Sequence, residues 1–174
     1  MLWKQVNSGR LCELGNPDSR NFEWPEAGRL AGVDYGTVRI GIAVCDPSRT
    51  WTSPLETYTR RNAVLDQEHF VRVAKENQIM GWVVGLPIHC DGRESKKSEE
   101  AREFAIWLND ITGRPVRFVD ERYTTALANR MLRDAELTHK QRKKQVDKIA
   151  AHFILESYLE SAKQPWFQPT PLED

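Results

Sequence analysis

The stretch Arg29–Asp46, RLAGVDYGTVRIGIAVCD, holds the pattern on which the fold turns. Two apolar runs flank a tight Tyr35-Gly36-Thr37 turn, so the segment reads as two strands joined by a short connection. In the second run Ile40, Ile42 and Val44 alternate with Arg39, Gly41 and Ala43, the period of two expected of a strand. The first run ends in Asp34, where a carboxylate buried without compensation costs several kcal/mol. Two roles fit it. Asp34 can cap the glycine turn through its own backbone. Alternatively it faces a ligand, since Gly36 lets a phosphate approach the backbone and Thr37 adds a hydroxyl.

Downstream, PLETYTR from Pro54 supplies a third strand, and residues 62–78 read as a helix with Val64, Phe70, Val73 and Ala74 on its apolar side. GWVVGLP (81–87) is apolar without alternation, as expected of a strand buried on both faces. Residues 95–112 form a second helix, with Ala101, Phe104, Ala105, Leu108 and Ile111 on one stripe and Trp107 extending it. Gly113 ends that helix, and PVRFVDE is the fifth strand. A helix is predicted from about Thr125 and another from about Lys140 to Ala162. The order β-β-β-α-β-α-β-α-α predicts an α/β domain, a mixed sheet with helices on both faces. The predicted boundaries are an extension over 1–28, the domain over 29–163 and a proline-containing tail over 164–174.

The bulk composition narrows the class. A chain of 174 residues, 40% hydrophobic and 29% charged, fits one globular domain with a real core. Twenty-five basic residues balance twenty-five acidic ones, so any nucleic-acid surface must be local. Cys12, Cys45 and Cys90 form no CxxC pair and no disulfide framework, which suits a reducing cytoplasm. No apolar run approaches the ~20 residues of a membrane helix, and the N-terminus has no continuous apolar signal core.

Two further acidic features stand out. Asp147 lies in QVDKIAAHFILESYL, where Ala150, Ala151 and Ile154 follow at +3, +4 and +7 and share its face. It either pairs with Lys143 or Lys144 on the same helix, favours the helix dipole, or enters a site beside the apolar seam. RFVDERYTTA (117–126) ends a strand in Asp120 and Glu121, which alternation sends to opposite faces. Only one of them can enter a given site, and spacing alone does not say which. If carboxylates from these three places meet, their repulsion calls for a hard cation such as Mg²⁺ or Mn²⁺. Two such ions about 3.5–4 Å apart can activate a water and stabilise the leaving oxygen of a phosphodiester.

GVDYGTVRIGIAVCD, VVGLPIHCDGRESKKSEEAREFA, FVDERYTTALANRML and KKQVDKIAAHFILESYL together resemble the YqgF family of the RNase H-like (RuvC-like) nuclease superfamily. The resemblance spans about residues 30–160. It implies an RNase H-like fold with a five-stranded mixed sheet of order 3-2-1-4-5, and a Mg²⁺- or Mn²⁺-dependent nuclease. Family members are described as acting in 5′-end maturation of pre-16S rRNA, and formerly as Holliday junction resolvases. By motif position the resemblance implies Asp34, Glu121 and Asp147 as catalytic metal ligands, selecting Glu121 over Asp120. HCDGRE stands where members often have NMDGTE, which bears on loop contacts but not on those acids.

The implied partner is nucleic acid, a structured RNA or a branched DNA, with association to a ribosome precursor and no membrane. Its cations would come from HKQRKK (139–144), one to two turns before Asp147: Lys140, Arg142, Lys143 and Lys144. Arg39 and Arg122 adjoin the acidic positions, and Arg93, Lys96 and Lys97 flank the Asp91-Gly92 turn. Tyr35 and Tyr123 serve core packing or base stacking, and His89, His139 and His152 have no metal-ligand spacing. Two rivals compete with a nuclease. A phosphotransferase of the actin and sugar-kinase type needs a second domain and a second DxGxT, which this chain lacks. A non-catalytic factor that binds ribosome precursors would not need the acidic set.

Overall fold

A computed structural model describes residues 23–87, 96–120 and 139–163. Side chains of Asp120 and of residues 139–146 are outside that description. The elements are β1 (Arg29–Asp34), β2 (Arg39–Cys45), β3 (Thr52–Thr59), α1 (Ala63–Glu76), β4 (Ile79–Leu86), α2 (Lys96–Thr112), β5 (Val116–Asp120) and α3 (His139–Ala162). The helix expected from about Thr125 lies outside the described residues. The sheet order is β3-β2-β1-β4-β5, as the family resemblance implies. The pairs β1–β2 and β2–β3 are antiparallel, whereas β1–β4 and β4–β5 are parallel. The carboxyl ends of β1, β4 and β5 therefore share one edge of the sheet.

Alternation along each strand divides the interior into two cores. Ala31 and Val33 of β1, Ile40, Ile42 and Val44 of β2, Trp82 and Val84 of β4 and Phe118 of β5 pack under α1 and α2. Leu30, Cys45 and Val83 face the other way, against Ile154, Leu155 and Tyr158 of α3. β4 contributes to both cores, which is why its sequence shows no polar face. Trp82 is fully buried, and its indole N–H donates to Thr112 Oγ1 at 3.2 Å, so the largest side chain of this core leaves no polar atom stranded.

One expectation about α1 is corrected. Val64 is 64% exposed, and the inward place on that turn belongs to Asp66, which is buried. Asp66 accepts from Tyr58 Oη at 2.7 Å, Arg61 N at 2.9 Å and Arg60 Nε at 3.1 Å. Three donors around one carboxylate repay its burial. The start of α1 is fixed separately by Asn62, whose Oδ1 accepts from Leu65 N at 3.0 Å.

Upstream of β1, Trp24 covers the second core. Its ring meets Tyr158 edge-on at 5.6 Å, and the Arg117 guanidinium lies over it at 4.4 Å. Arg117 also donates to Tyr158 Oη at 2.8 Å, so β5, α3 and the segment before β1 are tied together.

Candidate active site

Asp34 is the last residue of β1 and pairs across the ladder with Gly41 of β2. By alternation Gly32, Asp34, Arg39 and Gly41 all face α3. Two of these positions must lack a side chain. A Cβ on Gly41 would overlap the carbonyl oxygen of Asp147, and one on Gly32 would come within 2.5 Å of the Ala151 carbonyl and 2.7 Å of Leu155 Cβ. The backbone of α3 thus rests directly on a bare strip of the sheet. This contact sets Asp147 beside Asp34.

The turn that follows β1 has its own steric demand. A Cβ on Gly36 would collide with the Arg39 carbonyl, so glycine closes the Tyr35–Val38 connection. Tyr35 points into the core rather than toward a ligand: its ring packs on Phe104 at 4.9 Å and its hydroxyl accepts from Arg60 at 3.3 Å. Of the two roles open to Tyr35, packing is the one found.

The electrostatics follow from this proximity. Burial, reinforced by the charge of Asp147 and opposed by Lys97, pushes the Asp34 carboxyl up to about 7. Asp147 is matched by Arg39, whose Nε–H donates to Asp147 Oδ2 at 2.5 Å. That bond also raises the Arg39 pKa above its ordinary value. Among the described residues, Asp147 thus has a partner on β2, one that helix spacing could not nominate, while the side chains of Lys143 and Lys144 lie outside the description. Lys97, in the first turn of α2, joins the site through its charge on Asp34. Reading the sequence placed Lys97 on a loop edge without linking it to an acid.

Two neighbouring half-buried carboxylates, Asp34 and Asp147, are hard oxygen donors whose mutual repulsion calls for positive charge, which is the chemistry of a Mg²⁺ or Mn²⁺ site. Among the described residues no group of three or more His, Cys, Asp or Glu comes together. Glu121 and Arg122 lie outside the described residues, and so does the expected orientation of Glu121 against Asp120. Lys140, Arg142, Lys143 and Lys144 fall within α3, upstream of Asp147. A groove of about 560 Å³ lined by Arg29, Lys75, Gln78, Met80 and Arg114 sits at the opposite edge of the sheet and takes no part in this site.

A five-stranded mixed sheet of this order, with α3 on one face, is a RuvC-like, RNase H-like fold. Its solved counterparts include Thermus thermophilus RuvC in complex with a Holliday junction substrate, with a TM-score of 0.53 at 14% identity over 82% of this chain and 99% of that one. A second Thermus thermophilus RuvC structure gives 0.51 at 13% identity, over 82% of this chain and 99% of that one. At such identity the likeness is one of fold. Residues 28–161 match the family model RuvX, described as Holliday junction resolvase, and the chain belongs to that family. A relative from Rhodopirellula baltica, named "Putative pre-16S rRNA nuclease", is 51% identical over 140 residues, 80% of this chain and 81% of the relative. One from Rhodobacter capsulatus with the same name is 41% identical over 136 residues, 78% of this chain and 86% of the relative.

Proposed function

We propose that this protein is a divalent-cation-dependent nuclease that hydrolyses phosphodiester bonds in 5′-end maturation of pre-16S rRNA. The observation that carries the reading is the convergence of Asp34 and Asp147 at the carboxyl edge of the sheet, across the bare Gly41. The names of the relatives support the substrate. Cytoplasmic action and association with a ribosome precursor follow from that substrate.

Asp34, Glu121 and Asp147 would hold Mg²⁺ or Mn²⁺. The choice of Glu121 over Asp120 rests on the motif resemblance of FVDERYTTALANRML. When bound, such a cation polarises the scissile phosphate and lowers the pKa of water. The residues of the chain do the rest. Asp34 gives up a proton from its carboxyl when positive charge arrives. Lys97 supplies positive charge beside Asp34. Arg122 and the α3 cations Lys140, Arg142, Lys143 and Lys144 hold the polyanionic backbone against the site.

The test is cleavage of a pre-rRNA 5′ segment with Mg²⁺, with chelator, and by Asp34→Asn. Cation-dependent cleavage by the wild type and none by Asp34→Asn is expected, with an unchanged circular dichroism spectrum. Undiminished cleavage by a clean Asp34→Asn preparation would sink the reading. The family description favours a second substrate, a four-way DNA junction, and the same assay run on that junction decides between the two.

A further inference from the structure

Arg39 occupies an unusual position for a residue that would only contact substrate. It opens β2, faces α3 with Gly41, and donates its Nε–H to Asp147 Oδ2 at 2.5 Å. Asp147 is thus fixed twice, its main chain by Gly41 and its carboxylate by Arg39. The ion pair is only partly open to water, with the side chains of Arg39 and Asp147 31% and 17% exposed.

A divalent cation on the same oxygen would compete with this bond. Mg²⁺ sits about 2.0–2.1 Å from its oxygen ligands. With Nε at 2.5 Å from Oδ2, a cation on that oxygen would lie at most about 5 Å from Nε, close enough for the two positive charges to repel. The lone pairs of one carboxylate oxygen would serve both.

We propose that Arg39 is a positioning residue that holds Asp147 in the cation-free protein and yields it when the cation binds. The guanidinium keeps the carboxylate aimed and close to Asp34, so that no rearrangement of α3 is needed on loading. It also competes with the incoming ion, and so sets the cation concentration at which the site fills. The inference rests on the metal reading given above.

The direct test is a titration of the ¹⁵N-labelled wild type with Mg²⁺, without nucleic acid, followed at the Arg39 Nε–H resonance. Its assignment comes from its absence in Arg39→Lys. The resonance is expected to shift and lose protection from exchange as the backbone amides of Asp34 and Asp147 respond. If those amides respond and the Arg39 resonance stays put, the displacement is overturned and the metal site survives. If neither responds, the metal reading fails and takes this one with it. Calorimetry with Mn²⁺ gives a second readout. Arg39→Met is expected to bind about 2- to 5-fold more tightly than wild type, the range expected from releasing a partly exposed ion pair. Equal or weaker binding overturns the proposal. Should Arg39→Met fail to fold, the wild-type titration still decides.

Discussion

At the scale of single residues, Asp34 links stability to pH. A carboxyl raised to about 7 from an ordinary 3.8 holds its proton more tightly folded than unfolded. Its contribution is intact below about pH 4 and is lost as pH rises through about 7. Chelator-treated protein is therefore expected to lose stability over that window, by roughly 2–4 kcal/mol at full ionisation. Asp34→Asn should flatten the slope and stabilise the metal-free protein at pH 8. Denaturant unfolding at several pH values measures both, and an equal slope in the two proteins would refute the assignment. Asp66 accepts three hydrogen bonds in the core beside α1. Asp66→Ala leaves Tyr58 Oη, Arg61 N and the Arg60 guanidinium without their acceptor. A loss of about 2–4 kcal/mol is expected in thermal or urea unfolding, without direct damage to the acidic site.

At the scale of elements, the seating of α3 on β1 and β2 is what brings Asp147 into place. Gly41→Ala inserts a methyl group where the Asp147 carbonyl lies. It is expected to cost roughly 1–3 kcal/mol by overpacking and to weaken Mn²⁺ binding more than any surface substitution on α3. Calorimetry and thermal unfolding on one preparation check both, and wild-type affinity in Gly41→Ala would contradict this account of the docking. The alternation of β2 was readable from Ile40, Ile42 and Val44, and it put Arg39 and Gly41 on one face. It could not say that a helix backbone would rest there, since Arg39 and Asp147 are 108 residues apart. The same distance hid the ion pair, because helix spacing offers only neighbours such as Lys143 and Lys144. Val64 misled for a local reason: hydrophobicity marked it as inward, while the donors that make Asp66 the inward residue lie on β3 and the β3–α1 connection.

At the scale of the whole molecule, strand and helix identities followed from periodicity, and the sheet order came from the resemblance of four motifs. The acids of β1 and α3 were singled out as candidates from the sequence and lie close together in the structure, whereas the charge of Lys97 on Asp34 was not foreseen. The groove at the far edge offers a control for the site. Lys75→Ala or Met80→Ala, both lining that groove, should leave cation-dependent cleavage within about two-fold of wild type. A large loss would mean that the groove belongs to the functional surface. The distribution of the site along the chain has a temporal consequence. At a synthesis rate of about 5–20 residues per second, the separation of 108 positions from Arg39 to Asp147 means that the arginine is made ~5–20 s before its carboxylate. A growing chain can assemble β1, β2 and β3 long before α3 reaches them. The nascent protein is thus chemically incomplete until α3 has been made.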